Sequence, residues 1–141
     1  MKKIILFIIL NTFVLATPLK DGKYSVRTEK SFWFWYPYTS VIIRNGEIVE
    51  AYHDRIKLDG RKASENDKYN SSMMRSSKTN PKIYSKAIPE EFFNKNKDLN
   101  KMDNIAGATD SVQNFKSQIK FLIHKAETEG PGNYIMSENQ L

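Results

Sequence analysis

The sequence contains no cysteine in its 141 residues. This absence excludes disulfide frameworks, thiol nucleophiles, cysteine-bound zinc and iron–sulfur clusters. Histidine is scarce as well, since His53 and His124 are the only two and their separation does not match a metal site. The Gly-x-Ser-x-Gly, P-loop and HExxH motifs are also absent, so nothing in the sequence indicates a hydrolase.

A dominant charge of one sign is absent too. Lys and Arg total 22 against 16 Asp and Glu, a formal charge of +6 that falls to +4 without Lys2 and Lys3. Acidic and basic residues are mixed along the whole chain, which is typical of a solvated protein surface. We therefore expect no nucleic-acid partner.

The sequence has no hydrophobic run long enough for a membrane span. The largely apolar stretch from residue 4 to residue 16 covers 13 residues, short of the roughly 20 that cross a bilayer. Two lysines precede this stretch, and Val14 and Ala16 provide the small residues of a cleavage site. The pattern predicts a signal peptide at residues 1–16, cleaved after Ala16, with retention as an anchor as the alternative. The mature protein would be periplasmic or secreted, without a stable membrane span.

The mature chain is predicted to begin with an antiparallel meander of about three strands. Residues 23–29 and 32–44 form two extended segments. Asn45-Gly46 follows directly and precedes a further apolar run at 48–52. This dipeptide predicts a type I′ hairpin turn, because both central residues of that turn need a positive φ.

A long C-terminal helix is the clearest prediction. Apolar residues recur at spacings of three and four and form one stripe: Val112, Phe115, Ile119, Leu122 and Ala126. Asp110 or Ser111 is expected to cap the start of this helix, and Gly130 lies just past its end. An apolar stripe of this length must pack on the sheet.

The polar segment 55–82 is predicted to be mostly loop with one short helix at 65–76, and a further helix is expected to start at Pro89. Together the elements predict an α+β fold, a twisted antiparallel sheet packed against the C-terminal helix in a single domain at 17–130. Residues 131–141 are short and polar and are predicted to form a flexible tail.

The segment from Asp103 to Ser111 is the strongest candidate site. Small residues lead here to a hydroxyl at a helix N-terminus, where backbone can approach a ligand closely and free N–H groups can hold a phosphate. An ordinary loop-to-helix junction, with Thr109 or Ser111 as N-cap, would have the same composition.

These residues resemble a known family. Asp103-x-x-Ala106-Gly107-Ala108-Thr109-x-Ser111 is similar to the flavinylation motif of the FMN-binding domain family, which includes extracytoplasmic flavin subunits of redox complexes; Ala106 stands where that family commonly has Ser or Thr. Further motifs occur in the order seen in small single-domain members and cover about 21–126: Asp21-Gly22-x-Tyr24, Ile43-x-Asn45-Gly46-x-Ile48, Lys62-x-Ser64-x-x-Asp67-x-Tyr69-Asn70-x-x-Met73 and Phe115-Lys116.

The resemblance implies an FMN joined through its phosphate to the Thr109 hydroxyl by a phosphodiester. It implies a separate magnesium-dependent flavin transferase that makes this bond with FAD as donor. Gly107 and Ala108 would give that enzyme steric access, and Asp103 would be the acid needed for modification.

The chemistry of neighbouring residues is compatible with a bound flavin. Ser111 and the amides of residues 110–112 lie at the helix start, where they can donate to a phosphodiester anion. Tyr69 and Met73 stand four apart on the predicted middle helix and could present one face to the flavin ring, with Asn70 at a polar edge. The same Tyr and Met could equally just cover the sheet.

The most aromatic stretch is 32–38. In an extended segment alternate residues share a face, which groups Phe32, Phe34, Tyr36 and Tyr38 opposite Trp33 and Trp35. A core face with a partly exposed second face is the expected arrangement. An exposed Trp pair would instead indicate a docking surface.

The sequence therefore predicts an exported flavoprotein with FMN on Thr109 that acts in extracytoplasmic electron transfer with a membrane-associated donor or acceptor. No substrate-pocket signature is present, which favours an electron carrier or redox subunit over a self-sufficient enzyme. Two alternatives stay open. One is reversible, non-covalent FMN binding; the other is a cofactor-free exported binding or surface protein with an aromatic patch, in which Trp33 and Trp35 are exposed.

Overall fold

The computed structural model describes residues 17–140. The predicted signal peptide at 1–16 therefore lies outside the described residues. Within 17–140, no helix combines the length and apolar character that crossing a membrane requires.

The described chain forms one four-stranded sheet and three α-helices, which confirms the α+β prediction. In chain order these are β1 (Gly22–Thr28), β2 (Tyr36–Arg44), β3 (Glu47–Ile56), α1 (Asp67–Ser77), α2 (Pro81–Asn94), α3 (Thr109–Thr128) and β4 (Gly132–Met136). The strands lie in the order β3-β2-β1-β4. The first three strands pair antiparallel, as the predicted meander requires, whereas β4 runs parallel to β1.

The turn between β2 and β3 has the predicted type I′ geometry. Asn45 has a φ of 52° and Gly46 a φ of 74°. The carboxylate of Asp21 accepts hydrogen bonds of 2.9 Å from both amides, and these bonds lower the pKa of Asp21. The hairpin is thus fixed to the segment that precedes β1.

The core forms where α3 and α2 pack on the sheet. The predicted stripe on α3 is fully buried, and it meets sheet residues such as Tyr24 and Val41 together with Tyr84 and Phe92 of α2. Burying each large apolar side chain of this kind stabilises the fold by about 1.5–3 kcal/mol. Gly130 lies just past the end of the helix, as predicted, with a φ of 134°.

The C-terminal segment differs from the prediction. Gly132–Met136 is not part of a flexible tail, because it pairs with β1 from Tyr24 to Thr28 and makes the sheet mixed. The segment is short and flanked by polar residues, so its strand signal is weak. Pairing with β1 supplies the missing stabilisation, since β1 would otherwise leave a row of backbone groups without partners.

Helix α1 confirms the short helix predicted at 65–76, but α2 begins eight residues before the predicted start at Pro89. Asn80 caps α2 through its side chain, which accepts from the amide of Ile83 at 3.1 Å, and Pro81 occupies the first turn. Pro89 lies inside the helix. The earlier cap-and-proline pair defines the start, and tertiary burial of Pro89 outweighs its poor helix propensity.

Candidate functional site

A cleft of about 660 Å³ lies beside the N-terminus of α3. It is bordered by the end of α1, by Pro37 at the start of β2, by β3 and by α2. The lining residues that matter for function are Phe32, Arg55, Met73, Ser77, Tyr84, Gly107, Ala108, Thr109, Asp110 and Ser111. The volume is within the range of about 300–1,000 Å³ that small-molecule sites span.

Gly107 shapes the loop that leads into α3. Its φ is 78°, in the left-handed region, and a Cβ there would lie 2.2 Å from the carbonyl oxygen of Ser77. The loop therefore packs directly against the end of α1. Only glycine satisfies both the backbone conformation and this close approach.

Thr109 is the first residue of α3, and its side chain is exposed at the cleft. The N-cap position is Ala108, whose methyl group cannot accept a hydrogen bond. The capping predictions for Thr109, Asp110 and Ser111 were wrong, because all three lie inside the helix. The loop turns at Gly107 and places the helix start one residue earlier than a polar cap would.

The start of α3 consequently leaves hydrogen-bond donors unused. The first helical bond runs from the amide of Val112 to the carbonyl of Ala108 at 3.0 Å. In the part of the chain that the structure describes, the amides of residues 109–111 have no backbone or side-chain acceptor. Such amides, together with the helix dipole, attract a negative group.

Arg55 adds a positive charge to the same cleft. One of its Nη atoms donates to the hydroxyl of Tyr69 at 2.8 Å, whereas its Nε is buried without a hydrogen-bond partner. Among residues 17–140, no carboxylate lies within ion-pair distance of this guanidinium. A partly buried arginine without an acid favours an anionic ligand.

Tyr84 supplies a further unused donor. Its side chain is fully buried, its hydroxyl makes no hydrogen bond of standard geometry within the described residues, and the Ser111 side chain lies close enough to act on the pKa of this hydroxyl. Burial raises the pKa of Tyr84, so the hydroxyl keeps its proton at neutral pH. A buried hydroxyl without a partner is costly unless a ligand or water meets it.

The cleft therefore presents mainly donors. Its lining includes three amides at the start of α3, together with Arg55 and Tyr84. The acid among the lining residues is Asp110, which is exposed. This arrangement is suited to a phosphate or another small oxyanion, because each oxygen can accept from several of these groups.

Five of the eight predicted cofactor-binding residues line the cleft: Met73, Gly107, Ala108, Thr109 and Ser111. Tyr69 lies beside it, with its ring edge-to-face against Trp35 at 5.4 Å and its hydroxyl bound to Arg55. Asp103 is exposed and forms an ion pair with Lys95 at 3.4 Å. The structure thus brings the small residues and Met73 together, and leaves Asp103 outside the cleft.

Asn70 has a structural role in place of the predicted ligand contact. Its Nδ2 donates to the carbonyl oxygens of Ala63, Ser64 and Asn66 at 2.9–3.1 Å. Its Oδ1 accepts from the amide of Lys82 at 2.9 Å. These bonds use the whole amide group and join the start of α1 to the start of α2.

His53 lies in the core as a hydrogen-bonded structural residue. Gln118 donates through Nε2 to the carbonyl of Pro37 at 2.8 Å, so its Oε1 accepts from Thr39 at 2.6 Å. The Thr39 hydroxyl must then accept from Nδ1 of His53 at 2.9 Å, which leaves Nε2 unprotonated and without a partner within the described chain. Desolvation, with the charge of Arg55, lowers the pKa of His53 to about 3.

The aromatic stretch differs from its predicted extended form. Residues 32–35 make a tight turn with a φ of 52° at Trp33 and 65° at Phe34, so β2 starts only at Tyr36. The side chain of Trp35, at the base of the turn, is buried, whereas Trp33 is 76% exposed. The alternating faces predicted for this segment therefore do not form, and only one tryptophan of the pair is exposed.

Sequence reasoning missed Arg55, Tyr84 and the position of Phe32 at the cleft. Arg55 comes from β3 and Tyr84 from α2, both distant in sequence from Thr109. An arginine in a strand and a tyrosine in a helix have no local pattern that marks them as ligand-binding. Only the packing of α2 and β3 around α3 reveals them.

Comparisons with known proteins give one solved structure of similar fold. No family model matches the chain, and no curated protein matches it. The crystal structure of the CPE2226 protein from Clostridium perfringens has a TM-score of 0.75 and 26% sequence identity, covering 84% of this chain and 98% of that one. The likeness supports the α+β fold and assigns no activity.

Proposed function

We propose that this chain is an exported flavoprotein that holds FMN through a phosphodiester on Thr109 and passes electrons between a membrane-associated donor and an acceptor. One observation carries the proposal. Thr109 is the first residue of a helix that has no side-chain cap, and this exposed threonine lines a cleft that also contains unused hydrogen-bond donors.

The cleft fits the phosphate part of this group. A phosphodiester keeps one negative charge, and the amides of residues 109–111 are suited to hold it next to Thr109. The guanidinium of Arg55 and the hydroxyl of Tyr84 would complete the set of donors. A helix start without a cap costs about 1 kcal/mol, a loss that an anion bound at this position would offset.

The remaining lining fits an aromatic ring system. Phe32 and Met73 supply apolar and polarisable surface at the cleft. When bound, FMN supplies one- or two-electron transfer, which the side chains of this protein cannot perform themselves. A covalent bond would prevent loss of the group outside the cell.

Asp103 has a different place in the proposal. Its carboxylate is exposed, pairs with Lys95 and does not line the cleft. The carboxylate of Asp103 would therefore act during maturation, when a flavin transferase approaches the loop from outside. Exchange of Asp103 is expected to lower the extent of modification without weakening the fold.

The test is co-expression with a flavin transferase in an exporting host, followed by mass spectrometry of the peptide that contains Thr109. The wild-type peptide should carry the mass of FMN, and flavin fluorescence should remain on the denatured chain. Thr109→Ser keeps the hydroxyl and should retain flavin, whereas Thr109→Ala should lose it and change the free energy of unfolding by no more than about 1 kcal/mol.

Three outcomes would contradict the proposal. A colourless wild-type protein made with an active transferase would remove its basis. Flavin that leaves on denaturation would favour reversible binding. Covalent flavin on the Thr109→Ala variant would move the attachment to another residue.

A further inference from the structure

The turn at residues 32–35 has an unusual composition for its geometry. Phe32 and Trp35 exchange two backbone hydrogen bonds of 2.9 and 3.0 Å, and both central residues, Trp33 and Phe34, have a left-handed φ. These features define a type I′ turn, which normally requires Asn and Gly. The hairpin between β2 and β3 uses that usual pair at the same type of turn.

Large aromatic residues are poorly suited to these two positions. A positive φ brings the side chain of a bulky residue against its own backbone, so such residues are rare there. The chain tolerates this conformation twice in succession, although it forms an Asn-Gly turn elsewhere. Strained backbone of this kind clusters at functional sites, which makes the side chains of Trp33 and Phe34 candidates for a function.

The aromatic rings of the turn point into solvent. The exposed fraction is 63% for Phe32, 76% for Trp33 and 75% for Phe34. The rings of Phe32 and Trp33 lie edge-to-face at 6.2 Å, so they form one continuous apolar tip. A contiguous exposed patch of large aromatics is a common sign of a binding surface.

The base of the turn is firmly held. Trp35 is only 6% exposed and packs edge-to-face on Tyr69 at 5.4 Å. The ammonium group of Lys57 lies 4.9 Å from the centre of the Trp35 ring. The tip is therefore presented by a packed base, which reduces the entropy lost on binding.

The size and shape of the tip favour a lipid surface over a protein. Three aromatic rings of roughly 150–250 Å² each, about two thirds exposed, offer less than the roughly 800 Å² that each partner contributes to a stable protein interface. The tip is a single tight turn of two central residues and is therefore narrow. A bilayer interface accommodates such a shape, and tryptophan is enriched at this depth.

The charges around the base favour an anionic surface. Three cations lie near the turn: Arg27 over the ring of Tyr36, Lys30 two residues before Phe32, and Lys57 over Trp35. Within the described residues, Arg27 and Lys57 form no salt bridge. Three acids lie nearby: Glu29, Glu138, which pairs with Lys30, and Asp59, which pairs with Arg61 and also interacts with Lys57. The formal charge is +6 with Lys2 and Lys3 and +4 without them, and cations near a bilayer add to binding when the lipids are anionic.

We propose that Trp33 and Phe34 insert into the interfacial region of a bilayer with anionic headgroups and dock the protein there reversibly. Because Phe32 belongs to the turn and also lines the cleft, docking would hold the cleft mouth at the lipid surface. The proposal depends on the turn alone and holds with or without flavin on Thr109.

The first test uses Trp33 as its own probe, since the chain has only two tryptophans. Vesicles of phosphatidylglycerol with brominated acyl chains should quench the emission of the wild-type protein and shift it to shorter wavelength. Trp33→Phe should abolish most of this quenching, because Trp35 is buried. No quenching with brominated anionic vesicles would overturn the proposal.

The second test replaces the tip with the residues that the other hairpin uses. The double variant Trp33→Asn with Phe34→Gly relieves the strained φ values, so it should unfold at the same or a higher urea concentration. Its affinity for the same vesicles should fall by about tenfold per ring removed. Both proteins share residues 1–32, so any contribution of the N-terminal segment cancels.

Two results of this comparison would overturn the proposal. Equal vesicle affinity of the double variant and the wild type would exclude the turn as the docking element. Unfolding of the double variant would show that the aromatic residues serve the fold. Neither result would bear on the attachment of flavin to Thr109, which the mass of the peptide measures independently.

Discussion

Gly107→Ala tests how the loop before α3 is held. An added Cβ would lie 2.2 Å from the carbonyl oxygen of Ser77 and 3.0 Å from Cγ2 of Thr79. Side-chain carbons essentially never come closer than 3.0 Å, so the loop and the end of α1 must separate by at least the missing 0.8 Å. The first contact is with backbone at a helix end, which cannot rotate away as a side chain would.

The expected destabilisation has two parts. An alanine with a left-handed φ costs roughly 1–2 kcal/mol relative to glycine. Forcing extra volume into a packed contact adds about 1–3 kcal/mol. The free energy of unfolding of the Gly107→Ala variant should therefore fall by about 3 kcal/mol.

Gly60→Ala is the matched control for this variant. Gly60 has a φ of 89°, but nothing lies within 4 Å of the position of its Cβ. It should show only the backbone part, about 1–2 kcal/mol. Urea unfolding followed by circular dichroism gives both values, and their difference measures the contact with Ser77.

Equal destabilisation by the two variants would refute the packing argument. If Gly107→Ala were then as stable as Gly60→Ala but unable to acquire flavin, the glycine would serve access of the modifying enzyme. Loss of both stability and flavin would place its main role in the fold.

Three further predictions concern other residues of the cleft and core. Arg55→Gln should weaken the binding of FMN to the unmodified protein, measured by calorimetry, by on the order of tenfold. The control Lys57→Gln removes a charge outside the cleft lining and should change the affinity for FMN by less than about twofold. His53 resists protonation in the fold, where its pKa is about 3 against an ordinary 6.5, while the unfolded chain takes up the proton. The free energy of unfolding should therefore fall as the pH decreases from 6.5 towards 3, by up to about 1.4 kcal/mol per pH unit. His53→Gln should lack this component in urea unfolding at a series of pH values, and an unchanged slope would contradict the burial argument. Asn70→Asp replaces donors that face three carbonyls with an acceptor and should lower the free energy of unfolding by about 3 kcal/mol; a thermal midpoint within a degree of wild type would show that these bonds are dispensable.

The parts of the fold that the sequence predicts well have strong local signals. The stripe on α3 repeats five times at helical spacing, and Asn45-Gly46 satisfies the φ values of its turn without help from the rest of the chain. Strand β4 has no such signal, since its pairing with β1 depends on a contact more than a hundred residues away in sequence. The start of α2 was missed because Pro89 looks like a first-turn residue when burial is unknown.

The candidate site divides in the same way. The segment 107–111 is contiguous, so its small residues and the hydroxyl of Thr109 could be identified together. Arg55 and Tyr84 reach the cleft only through tertiary packing, and no spacing rule predicts them. The turn at Trp33 was missed because residue propensities place aromatic residues in strands and exclude them from left-handed positions.

The pairing of β4 with β1 determines the order in which the sheet can be completed. β1 is an interior strand, yet its second neighbour is β4, the last strand among residues 17–140. Synthesis proceeds from the N-terminus, so this edge of β1 stays without its partner until about residue 136 has been made. The antiparallel strands β1 to β3 can therefore pair first, and the four-stranded sheet is complete only after β4 has been made.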